Sequence, residues 1–158
     1  MKYIIFIFSL LFISSSYDLS MFYCGFSERY CGHSVSDDVY SKASYVILAF
    51  ANIQPSGAVI CDTDHFPAHQ FQGWKNTGKK VLLSIGGQNG NWTHVFISPE
   101  NRDRFINSLV NYVKRFSLDG VDLDIQSYIA TPRIVAQTII DLKSELMKVG
   151  HKLLIVSP

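Results

Sequence analysis

Two spacings of apolar residues alternate along this chain. Tyr45 to Ile53 is almost continuously apolar, and Lys80-Val-Leu-Leu-Ser-Ile85 repeats the pattern before Gly86-Gly87. Short apolar runs closed by turn residues, here Pro55-Ser-Gly57, are typical of strands buried on both faces of a parallel sheet. Elsewhere the step changes to three and four. Phe105, Ile106, Leu109, Val110 and Val113 predict a helix, with Ser98 as its cap, Pro99 in its first turn and Glu100 against the positive end of its dipole. Thr131-Pro132 opens a second clear helix that carries Ile139, Leu142 and Leu146 and stops at Gly150. Weaker patterns predict helices over 34–44 and 64–77, and strands over 21–26, 118–125 and 152–156. Strands alternating with helices in this way predict βαβ units and one parallel α/β sheet.

The segment 118–125 differs from the other strands in polarity. Period-two alternation puts Asp122, Asp124 and Gln126 on one face and Val121, Leu123 and Ile125 on the other. The apolar face suits a layer of helices. Two carboxylates on the opposite face are costly to bury without a use, so that face is the first candidate for chemistry. Asp119 has the other parity and is expected at the strand entrance in a structural role.

Composition removes several function classes. With 158 residues, a formal net charge of +1 and 47% apolar residues, the chain lacks the basic excess of a nucleic-acid binder and the charge bias of a disordered chain. Lys2, the apolar run Tyr3 to Ile13 and the small residues Ser14-Ser15-Ser16 have the form of a secretory signal peptide over 1–19, with a mature start near Tyr17 to Ser20. The run falls short of the roughly 20 residues of a membrane span, and nothing later is long and apolar enough to cross one. The expected location is therefore extracellular, with no membrane association after cleavage. Cys24, Cys31 and Cys61 allow at most one bridge within the chain, and spacing does not fix the pairing. His65 and His69 read as a solvated helix face, no Cys/His cluster has zinc-ligand spacing, and neither metal nor cofactor is expected. Asn91-Trp92-Thr93 is an N-glycosylation sequon in a Gly/Asn-rich loop, which makes Asn91 the expected acceptor in a secreted chain.

DGVDLDIQ, residues 119–126, closely resembles the signature of the family 18 glycoside hydrolases (chitinases and relatives), D-G-x-D-x-D-x-E. Lys80 to Gly87 resembles that family's third-strand S-x-G-G motif, Tyr45 to Asn52 its second strand, and Lys152 to Pro158 its fifth. The resemblance implies a parallel (β/α)₈ TIM-barrel fold, present here as about its first five strands over 20–158. A complete barrel needs roughly 200 residues or more. It also implies substrate-assisted hydrolysis, in which an acid protonates the glycosidic oxygen while the sugar's own N-acetyl oxygen attacks the anomeric carbon. In that scheme Asp124 orients and polarises the acetamido group, Asp122 tunes Asp124, and position 126 holds the proton donor. Gln126 has no proton to give. Ser84, Gly86, Gly87 and Tyr128 are candidate groove residues. For the two glycines the sharp exit from the strand is the first explanation and ligand contact the second. Trp92 is either a sugar-stacking platform or a loop anchor.

These residues lead to the expectation of a secreted chitinase-like chain that binds chitin or N-acetylglucosamine oligosaccharides with hydrolysis lost. The alternatives are an active endochitinase cleaving β-1,4-N-acetylglucosamine linkages, and a truncated fragment without function.

Overall fold

In the computed structural model, residues 18–24, 40–61, 68–126, 131–150 and 152–157 are described. Five strands form a parallel sheet in the order β1 (Ser20–Cys24), β2 (Tyr45–Ile53), β4 (Lys80–Gly86), β5 (Gly120–Asp124) and β6 (Leu153–Ser157). A short strand, β3 (Val59–Ile60), folds back antiparallel on β2. The described helices are α1 (Ala68–Asn76), the single turn α2 (Trp92–Phe96), α3 (Pro99–Arg115) and α4 (Pro132–Lys148). Apart from the β3 hairpin, each strand is followed across the sheet by the next one in the chain, the arrangement expected of a barrel of βαβ units.

The two faces of the sheet are chemically distinct. Val46, Leu48, Val81, Leu83, Ile85, Val121 and Leu123 are buried in the main core. They meet Phe105, Ile106, Leu109, Val110 and Val113 of α3 and Leu142 and Leu146 of α4, the positions the helical spacing predicts. The other face carries Ile47 and Leu82 at one level, then Ser84 and Asp122, then Gly86 and Asp124 at the strand ends. Polarity thus rises along the strands toward their C-terminal ends, where barrels of this type place their chemistry.

Local signals act largely as the sequence predicts. Ser98 caps α3, its hydroxyl accepting from the Asn101 amide at 3.2 Å. Thr131 occupies the cap position of α4 but makes no side-chain cap bond. The predicted helix over 64–77 is seen as Ala68–Asn76, residues 62–67 lying outside the described set; so do residues 25–39, which hold most of the predicted 34–44 helix. Cys24 is disulfide-bonded to a partner outside the described residues. Asp119 stands at the entrance of β5, as expected. Its carboxylate accepts from the Val81 amide at 3.0 Å and lies 3.8 Å from Lys75 Nζ and 3.7 Å from Lys80 Nζ.

The β3 hairpin was not expected. Two residues carry no periodicity, and its outward amides are satisfied at long range. Val59 N–H donates to Ser108 Oγ at 2.8 Å and Cys61 N–H to Tyr112 Oη at 3.0 Å, both acceptors lying on α3. Side chains of a helix thus close an edge that would otherwise be open. Among the described residues no helix is long and apolar enough to cross a membrane.

Candidate functional site

The sheet register brings Ser84, Asp122, Asp124 and Ser157 together at the C-terminal ends of three adjacent strands. Ser84 of β4 is aligned with Asp122 of β5, while Asp124 is aligned with Gly86 on one side and Ser157 on the other. Asp122 is fully buried and Asp124 nearly so. Both oxygens of Asp122 are occupied: Ser84 Oγ donates to Oδ2 at 2.6 Å, and Ser157 Oγ donates to Oδ1 at 3.0 Å. Burial pushes the Asp122 carboxyl above the ordinary aspartate range, the two serine hydroxyls pull it back, and the neighbouring Asp124 charge adds a further rise.

Asp124 is held differently. The strand ends at this residue, one short of the predicted 118–125, and Gln126 lies just beyond it with its side chain exposed to solvent. Its amide still reaches back, with Nε2 donating to Asp124 Oδ1 at 3.0 Å and Oδ2 at 3.1 Å. The Asp124 carbonyl accepts from Trp92 Nε1 at 3.0 Å and from the Gly87 amide at 3.2 Å.

Trp92 is therefore a loop anchor. It is 1% exposed, its ring stacks on Phe96 and meets Phe105 edge-on, and its indole N–H is committed to β5. Gly86 and Gly87 have φ of +108° and +71°, so their backbone requirement is genuine. A Cβ on Gly87 would sit 3.1 Å from the Phe50 ring. Asn91 is exposed at the start of α2, and Tyr128 lies outside the described residues. Ser157 is a contributor that sequence reasoning missed. It ends an apolar run with no motif around it, and only the β5–β6 register places its hydroxyl on Asp122.

A pH-dependent stability follows from the raised Asp122 carboxyl. Between the ordinary aspartate value and its raised folded value, the folded chain binds more protons than the unfolded one. Stability therefore falls as pH rises through that window, and the penalty is complete above the folded value. Asp122→Asn is expected to remove this component. Either serine hydroxyl can rotate to accept from the new amide. In urea melts between pH 4 and 8, the advantage of wild type over the variant should shrink steadily as pH increases. Parallel curves would rule out Asp122 as the source.

Parallel strands alternating with helices, with an acidic cluster at the strand C-termini, define a protein of the TIM-barrel type. The sequence profile of the glycosyl hydrolases family 18 matches residues 20–157, and the chain belongs to that family. It is 30% identical over 144 residues to Chitinase 1 of Tulipa saxatilis subsp. bakeri, an alignment covering 77% of this chain and 46% of that protein. Its fold is similar to that of a family 18 N-acetylglucosaminidase from Paenibacillus barengoltzii, with a TM-score of 0.74 at 19% identity, over 89% of this chain and 45% of that one. It is also similar to a Glu-to-Gln variant of the class V chitinase from Nicotiana tobaccum in complex with NAG4, with a TM-score of 0.68 at 22% identity, over 87% of this chain and 43% of that one. At such identities the structural likeness establishes the fold. The chain spans about half the length, or slightly less, of each of these relatives.

Proposed function

We propose that this chain is a secreted, chitinase-like protein that binds chitin or N-acetylglucosamine oligosaccharides without hydrolysing them. The observation that carries the reading is Gln126, whose amide donates to both oxygens of Asp124 at 3.0 and 3.1 Å. In the family's scheme the group at this position gives a proton to the glycosidic oxygen. An amide has nearly the same shape and still offers N–H donors, but it does not ionise and transfers no proton. Losing a general acid removes about 10²- to 10⁴-fold in rate. What remains suits binding: Asp124 keeps a carboxylate for an acetamido N–H, and Ser84, Gly86, Gly87, Asp122 and Tyr128 belong to the proposed groove. The tobacco fold relative carries a Glu-to-Gln exchange and holds NAG4, so in that protein the exchange coexists with a bound oligosaccharide. Secretion is supported by the form of residues 1–19, and an exposed Asn91 is then the proposed glycan acceptor.

The expected result is retention of the purified chain on chitin beads together with chromophore release from a dye-linked chitooligosaccharide no greater than blank. Measurable release that disappears in Asp124→Asn would overturn the binding-only reading in favour of an active endochitinase. Absence of both cooperative unfolding and bead retention would instead show that this span has no function by itself.

A further inference from the structure

We propose that Ser157 is a positioning residue of this site: with Ser84 it occupies both oxygens of Asp122 and keeps that carboxylate from sharing a hydrogen bond with Asp124. The inference rests on the ligand-binding reading above and concerns how Asp124 is kept available for a ligand. Asp122 lies between β4 and β6, and each neighbouring strand supplies one hydroxyl, Ser84 at 2.6 Å and Ser157 at 3.0 Å. Were one oxygen left open, the nearest way to fill it would be a proton shared with Asp124, two residues along the same strand. Such sharing would neutralise Asp124 and turn it toward its neighbour, away from a ligand amide.

Asp124 is provided for separately. Gln126 donates to both its oxygens, and Trp92 and Gly87 donate to its carbonyl. Each aspartate therefore has its own donors and neither needs the other. Among the described residues, Asp124 is the charged group that acts on Asp122. The nearest strands present it with hydroxyls, Lys80 stands at the far end of β4 beside Asp119, and the helices lie on the opposite face of the sheet. Ser157 supplies a donor on the β6 side without adding a charge.

The test combines NMR titration of the side-chain carboxyls with calorimetric binding of N-acetylchitotetraose, using the full chain as wild type, Ser157→Ala and Ser157→Thr. In Ser157→Ala the Asp122 midpoint is expected to move upward, and tetrasaccharide binding to weaken roughly tenfold, the equivalent of one ordinary-to-strong hydrogen bond. Ser157→Thr, which keeps the hydroxyl, should restore both. An Asp122 midpoint unmoved in Ser157→Ala overturns the proposal, as does a threonine variant that titrates like the alanine one. If the alanine variant does not fold, Ser157→Cys, with its weakly donating thiol, carries the same comparison. A wild type that fails to bind the tetrasaccharide defeats the binding reading, while the titration still decides whether Ser157 holds Asp122.

Discussion

Trp92→Ala is expected to cost about 3–5 kcal/mol of folding stability, the range for removing a large aromatic from a packed core. The ring is 1% exposed, with its centroid 5.9 Å from Phe96 and 5.6 Å from Phe105. Neither neighbour can refill the volume without abandoning its own contacts with the sheet. The variant also loses the indole donor to the Asp124 carbonyl, although the Gly87 amide remains as a second partner. Domains of this kind are stable by only about 5–15 kcal/mol in total, so the loss removes a large share. Trp92→Phe separates the contributions. It keeps most of the packing and gives up the hydrogen bond, for a cost of about 1 kcal/mol plus a smaller cavity. Urea unfolding followed by circular dichroism measures both. An alanine variant within 1 kcal/mol of wild type would mean that the ring does not anchor the loop to β5.

Gly86→Ala should be comparably damaging, for a different reason. Its φ of +108° is unfavourable for any residue with a Cβ, and that Cβ would lie 2.3 Å from the Asp124 carbonyl oxygen and 2.7 Å from Trp92 Nε1. The methyl group therefore falls on the hydrogen bond that joins the two. Gly78 and Gly150 supply the control. Their φ values of +82° and +105° are also positive, but no atom lies within 4 Å of a Cβ built on either. Alanine there should cost only the conformational strain, about 1–2 kcal/mol. At Gly86 the steric conflict adds to this, for a total of about 3 kcal/mol or more. Equal losses at Gly86 and Gly150 would show that the close approach to Asp124 is relieved at no cost.

The fold was readable where local sequence and burial agree. Tyr45 to Ile53 is continuously apolar because the strand is covered on both faces, and its predicted ends coincide with those observed. Ser98 and Pro99 start α3 as their chemistry dictates. The features that escaped depend on residues distant in the chain. Val59–Ile60 is held by hydroxyls on α3, and Ser157 meets Asp122 only through strand register. The alternation of β5 placed Asp122 and Asp124 on one face correctly. It did not foresee that the strand would end at Asp124, leaving Gln126 to fold its amide back over the neighbouring carboxylate. For Trp92 the sequence left two roles open. The decision came from Gly86 and Gly90, whose missing side chains make room for the indole: a Cβ on either would lie within 3 Å of Trp92 Nε1.

The lysines around Asp119 have a consequence at the other end of the same strand. Between residues 119 and 124 the chain carries three carboxyl groups but meets cations at only one end, where Lys75 and Lys80 flank Asp119. The donors to Asp122 and Asp124 are hydroxyls and amides, which orient a carboxylate without cancelling its field. β5 is thus electrically lopsided, compensated at its entrance and acidic at its exit. In a chain whose formal net charge is only +1, this exit is a local minimum of potential that mobile cations should populate. Added salt should therefore screen the mouth of the site while leaving the uncharged sugar it is proposed to hold largely indifferent to ionic strength.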